Sequence, residues 1–454
     1  MPRPASWIVL GLWLTLLLPW NLAHSADREG RSEHRNPPEW SRNVCIYEVN
    51  VRQFTPAGTF AEFREHLPRL KELGVRVLWF MPIHPIGEQN RKGTLGSYYS
   101  VRDYLAVNPE FGTMDEFKSL VRSAHDLGMH VLIDWVANHA AWDNPLVEEH
   151  PDWFTQNEKG DFVPPVPDWH DVIDLNYERE GLRDYMIEAM RFWIRETDID
   201  GFRCDVAGMV PWDFWADAIE ALHEIKPVFM LAEDESPAAH EKGFDVTYSW
   251  NLHWLMSGIA HGKRSVLALD SLFIRERNAY PPDAHRLRFT DNHDENSWNG
   301  TVFERLGDAA EAFAVLTLTV PGIPLIYSGQ EAGLDKQLEF FERDPIDWRE
   351  HHLRDVYRIL LRLKRENRAL WNGSSGGAIV RCETNLPETV SAFVREKDDQ
   401  DVLVVLNLSA EPKLVEVKSR LTGEFLDAFT GERVNVSENA PLELGAWGYR
   451  VLSR

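Results

Sequence analysis

Four short stretches set acidic residues at the end of an apolar run: DWVANH (134–139), FRCDV (202–206), LAEDES (231–236) and FTDNHDENSWNG (289–300). They carry Asp134, Asn138 and His139; Arg203 and Asp205; Glu233; and His293 with Asp294. Any one of them reads as a solvated loop after a strand, because Asp, Asn and Gly are the usual turn residues. A polar loop explains all four much less well if their strands end on one face. Arg203 and Asp205 are two positions apart, so on a strand they point to the same side. An arginine beside a carboxylate keeps it ionised and fixes its orientation, which is what a nucleophilic carboxylate needs. Glu233 follows the apolar run VFMLA, and a less solvated carboxyl can hold its proton near neutrality and serve as a general acid. A nucleophile and an acid about 5–5.5 Å apart form the arrangement of retaining glycoside cleavage. Asp294 would then be a third carboxylate, stabilising positive charge as the bond breaks.

The elements that must position these groups alternate regularly. Strand-like runs at 44–54, 75–83, 129–136, 199–206, 228–234, 244–250, 285–290 and 324–331 are each followed by a helical pattern or by a loop able to hold one. The clearest helical stretches lie near 59–73, 114–127, 180–196 and 212–224. Eight such alternations predict an α/β fold, a (β/α)8 TIM barrel, over residues 26–375, with an inserted loop domain at 137–177 after the third strand. In that fold the chemistry lies at the carboxyl ends of the strands, where the four acidic stretches fall. From about Gly376 the pattern becomes short alternating runs with turns between them, which predicts a C-terminal all-β domain over 376–454, a small sandwich.

Composition narrows the partners. The 454-residue chain is 44% hydrophobic and 26% charged, ordinary for a globular protein, and its net charge of −24 argues against nucleic acid or an anionic membrane. Eighteen Trp offer flat apolar faces suited to sugar rings, although Trp is equally good core filler. The three cysteines, Cys45, Cys204 and Cys382, are odd in number and far apart, which argues against a disulfide framework; Cys45 and Cys204 sit in strand-like runs, so buried free thiols are expected there. At the N-terminus Arg3 precedes the apolar run Trp7–Trp20, and the small residues Ala23 and Ser25 follow. That run is shorter than the ~20 residues a spanning helix needs, so residues 1–25 read as a cleavable signal peptide. The mature chain is then expected to be secreted or periplasmic, with no membrane attachment; an uncleaved anchor is the alternative.

Taken in order, DWVANH, GFRCDV, LAED and FTDNHD resemble the four hallmark regions of the α-amylase family, glycoside hydrolase family 13. IDLNY before the fourth strand, YYSVRDYLAVNPEFGT and PGIPLIYSGQE resemble three further family segments, and the likeness runs from about residue 43 to the C-terminus. The resemblance implies that Asp205 is the nucleophile, Glu233 the acid/base and Asp294 the transition-state stabiliser. It implies that Arg203 orients the nucleophile, that His139 and His293 hydrogen-bond the sugar at the cleaved bond, and that Tyr99 stacks on it, with neighbouring Tyr98 as the other candidate. Asn138 and Asp174 match calcium ligands of many members; no cofactor is needed for the chemistry, and a structural calcium is an open expectation, since that ion takes about 6–8 oxygens. The sequence departs from the family after Asp205, where Gly208 and Met209 stand in place of a Lys-His pair that touches the leaving-group sugar. The activity implied is retaining hydrolysis of α-glucosidic bonds, most readily α-1,4, in malto-oligosaccharides or starch. The alternatives are a transglycosylase or an α-1,6-acting member, and, from another class, an inert membrane-anchored binding protein with the same barrel.

Overall fold

Alternation in the apolar runs predicts strands with one inward face, and the computed structural model, which describes residues 37–438 and 440–454, closes eight of them into a barrel. They are β1 (Ile46–Val49), β2 (Val77–Phe80), β3 (His130–Trp135), β4 (Gly201–Cys204), β5 (Phe229–Ala232), β6 (Val246–Tyr248), β7 (His285–Arg288) and β8 (Ile323–Tyr327). All neighbours are parallel, and the ring runs in chain order with β8 closing against β1. The expected signal peptide, residues 1–25, lies outside the described residues. Among the described residues no helix is long and apolar enough to cross a membrane.

The strand period decides what faces where. Ile46, Val77, Trp79, Leu132, Leu231 and Leu287 pack on one another inside the barrel. Residues between them, such as Leu78, Ile133 and Met230, belong to the outer core beneath the helices. The inward register carries Glu48 two places after Ile46, Asp134 after Leu132, Asp205 after Arg203 and Glu233 after Leu231. Carboxylates therefore gather at one end of an otherwise apolar interior. Gly201 lets β4 lie close to β5, since a Cβ there would stand 1.9 Å from the Phe229 carbonyl oxygen.

The outer helices follow from apolar spacing and caps. Met114–Asp126 buries Phe117, Leu120, Val121 and Ala124, one stripe of a 3.6-residue period. It opens with a capping box: Thr113 Oγ1 accepts from the Glu116 N–H, and the Glu116 carboxylate accepts from the Thr113 N–H at 2.7 Å. Glu180–Thr197 packs Leu182, Met186, Met190 and Trp193 inward, and the Trp193 indole donates to the Tyr104 carbonyl at 2.7 Å.

One element differs from expectation. The run 44–54 is strand only to Val49, and Val51–Phe54 is a helical turn. The chain leaves the barrel at Asn50, whose amide is held by the hydroxyls of Tyr98 (3.0 Å) and Tyr327 (3.3 Å). A short apolar run does not by itself separate strand from helix.

Beyond the barrel, strands between Ile379 and Ser453 form a six-stranded and a three-stranded antiparallel sheet. Val390, Val394, Leu403 and Val405 of the first face Val415, Val417 and Leu444 of the second across a shared core, a sandwich. Arg395 ties it to the barrel, its buried guanidinium donating to the carbonyls of Thr319 (3.2 Å), Leu370 (3.3 Å) and Trp371 (2.7 Å). The three cysteines are free and buried.

Candidate active site

Arg203 is the hub. It is wholly buried, and its guanidinium lies over the Trp79 ring at 5.0 Å, capping the apolar interior. Nη1 donates to Asp134 Oδ1 at 2.8 Å and to Asp205 Oδ1 at 2.9 Å. Nη2 stands 2.9 Å from Glu233 Oε2, an ion contact whose N–H is not aligned on the oxygen. Glu233 Oε2 also accepts the Val206 N–H at 2.7 Å, so both its neighbours occupy one oxygen and leave Oε1 uncommitted. One guanidinium thus gathers the ends of β3, β4 and β5.

Electrostatics are decided by burial against that single positive charge. Burial raises Glu233 to about 7; Arg203 opposes the rise, and Asp205 and Asp294 add to it. Burial also raises Asp205 to about 7, with Arg203 pulling down and Asp134 pushing up. An arginine beside Asp205 is expected to keep it ionised; in the fold the Arg203 charge is divided among three carboxylates, Asp134 included, which burial raises to about 6. The set therefore retains protons near neutrality.

The histidines flank Asp205 and Asp294. His293 Nδ1 bonds Glu48 Oε1 at 2.5 Å, and Nε2 lies 2.8 Å from the Tyr99 hydroxyl and 3.4 Å from Asp294 Oδ1. Burial disfavours its charge, but Asp294 and Glu48 raise it to about 9, so it is an imidazolium at neutral pH. His139 is the opposite case, since burial lowers it to about 4. The Asn138 amide, 3.3 Å from His139 Nδ1, donates there and leaves the proton on Nε2, which lies 4.0 Å from Asp205 Oδ2. Tyr99 lies in the site, stacked on His293 at 5.4 Å with its hydroxyl 3.1 Å from Asp134 Oδ2. Tyr98 is buried away from it, bonded to Asn50.

A cavity of about 220 Å³ lies over this cluster, lined by Tyr99, His139, Asp205, Glu233, His293 and Asp294. Sequence reasoning missed several residues that line this cavity or hold those that do. Glu48 was hidden in the apolar run CIYEV, where the only signal was one charge in inward register with Ile46. Trp169, Phe340 and the Lys92–Asp171 ion pair (2.8 Å) come from loops without pattern. Asp134 was seen as a strand-end carboxylate; it anchors Arg203, the Trp79 indole (3.1 Å) and Tyr99.

The neighbours of Glu233 point elsewhere. Asp234 Oδ1 accepts the Ser236 N–H at 2.5 Å, and its other oxygen would stand 2.2 Å from a Cβ at Gly208. Glu235 pairs with Arg286 at 2.8 Å and accepts the Asn251 N–H at 3.2 Å. Neither lines the cavity.

The residues named for calcium are engaged with protein partners. Asn138 faces His139, and Asp174 Oδ2 accepts the Thr155 hydroxyl at 2.6 Å. Among the described residues no three His, Cys, Asp or Glu gather as a metal's ligands.

A closed parallel barrel with an arginine-bound carboxylate cluster at its C-terminal mouth is an arrangement suited to glycoside cleavage. Comparison narrows this. The model of the α-amylase catalytic domain matches residues 35–172 and 166–242, and that of the maltogenic amylase C-terminal domain matches 384–451. A maltogenic α-amylase structure from Thermotoga neapolitana is 33% identical, with TM-score 0.84 over 90% of this chain and 98% of that one. An α-amylase structure from Lactobacillus plantarum is 30% identical, with TM-score 0.82 over 91% of this chain and 99% of that one. Alpha-amylase 2 of Dictyoglomus thermophilum is 25% identical over 92% of this chain and 77% of its own. The chain belongs to the α-amylase family and is an enzyme of the glycosidase type.

Proposed function

We propose that this enzyme is a secreted, retaining hydrolase of α-glucosidic bonds, chiefly α-1,4, in malto-oligosaccharides or starch. The observation that carries the reading is the sharing of one guanidinium: Arg203 reaches Asp205 through Nη1 and Glu233 through Nη2, on the floor of a cavity lined by both. Two carboxylates so placed suit the short separation of a retaining pair. The relatives' names, α-amylase and maltogenic α-amylase, support the substrate class.

In this reading Asp205, with Oδ1 held by Arg203, attacks the anomeric carbon through Oδ2. Glu233 gives the leaving oxygen the proton carried on Oε1. Asp205 holds an aligned arginine N–H and Glu233 only the ion contact, which places the negative charge on the first and the proton on the second. Asp294 stabilises the oxocarbenium-like transition state, and protonated His293 and Nε2–H of His139 donate to sugar hydroxyls with Tyr99 beneath the ring. Glu233 then takes a proton from water as the glycosyl ester is hydrolysed. Two inversions at one carbon release the α-anomer first. Proton NMR of freshly cleaved maltoheptaose checks this, and β-anomer appearing first would reject the mechanism. The same time course separates hydrolysis from transfer, since a transglycosylase makes chains longer than the substrate.

Export follows from Arg3 and the apolar run Trp7–Trp20. The mature chain is expected to begin near Ala26. Intact-mass measurement of exported protein checks it, and a mass that retains Trp7–Trp20 favours an anchor instead.

A further inference from the structure

We propose that the enzyme cuts from the non-reducing ends of chains, because the glycone side of its pocket is a blind wall held by Lys92, Thr94 and their partners. This rests on the α-glucan hydrolase reading above. Ring order comes first. With eight strands closed in sequence, β5 stands opposite β1. Glu233 follows β5, and the acid must touch the oxygen of the departing group, so the leaving portion exits on that side. The retained sugars therefore point toward β1.

Around β1 the loops of the rim are cross-linked to one another. The rim is built from the loops after β2, β3, β7 and β8, two strands to either side of β1. Lys92, after β2, pairs with Asp171 Oδ1 at 2.8 Å and donates to the Asp168 carbonyl at 3.0 Å, both in the segment after β3. On its other flank the Thr94 N–H donates to Glu342 Oε1 at 2.8 Å and the Thr94 hydroxyl bonds Glu342 Oε2. The Leu95 N–H donates to the Phe341 carbonyl at 3.1 Å, which fastens the loop after β2 to the loop after β8. Gly93, at φ +62°, makes the close fit possible, since a Cβ there would stand 2.4 Å from Phe341 Cβ. Trp298, after β7, completes the rim, its ring 5.2 Å from Phe340.

The acid side has no such closure. Gly208 is exposed and Met209 is 47% exposed beyond Val206, so a long leaving chain meets open surface.

The test uses wild-type enzyme and two substrates, maltoheptaose and maltoheptaose whose non-reducing terminal sugar carries a cyclic acetal. The acetal adds bulk where the wall stands, so the blocked chain is expected to be cleaved about 100-fold more slowly, and the free chain to release one short product size from the first turnover. Lys92→Ala together with Thr94→Val should restore at least part of the blocked-chain rate and widen the product range. Equal rates on the two chains, with mixed product sizes from the start, would overturn the inference and leave the hydrolase reading standing. No cleavage of free maltoheptaose would reject both.

Discussion

Asp205→Asn should leave a folded protein that no longer turns over α-glucan. The change removes a charge but keeps the shape. The amide oxygen can still accept the Arg203 N–H, and Arg203 keeps its contacts with Asp134 and Glu233. An amide cannot form the glycosyl ester, so the covalent route closes; losses on the order of 10⁴–10⁶ in kcat accompany removal of a nucleophile. Removing one of several buried carboxylates around a single arginine also relieves repulsion, so stability should hold or rise. Rates on maltoheptaose, with circular dichroism and a melting curve beside them, decide the matter. Near-wild-type turnover by a native-like protein would rule the assignment out.

Glu233→Gln should lose about 10²–10⁴-fold on natural glucans, the usual worth of general acid catalysis. The loss should be far smaller on a glucosyl fluoride, whose leaving group needs little protonation. The pH profile supplies a second readout. Burial raises Glu233 to about 7, and the acid works only while protonated, so activity should fall as pH rises through that value. That alkaline limb should be absent from the Gln variant on the fluoride. Asp234→Asn and Glu235→Gln should stay within several-fold of wild type, because Asp234 is turned to Ser236 and Glu235 to Arg286. A leaving-group-dependent collapse in either of these, and not in Glu233→Gln, would move the acid to the wrong side of β5.

What could be read from the chain alone was whatever local pattern encodes. Alternating apolar runs carry the strand period, so the eight barrel strands and the late change to an all-β domain were visible as spacing. The same period put Arg203 and Asp205 on one side and set Glu233 directly after its strand. The conspicuous residues, charges at the ends of apolar runs, were therefore legible as a candidate site, and the ordered motifs pointed to the α-amylase family. Barrel closure was needed for the rest. Glu48 lies 245 positions from the His293 it charges, and no local signal links them. The choice of Tyr99 over Tyr98 turned on which hydroxyl Asn50 holds and which reaches Asp134. Division of the Arg203 charge among three carboxylates, and with it the proton inventory of the site, follows from distances across three strands. The wall joining Lys92 to Asp171 and Thr94 to Glu342 is built from irregular loops, whose side chains meet only because the closed ring brings the ends of β2, β3 and β8 to one side of the mouth.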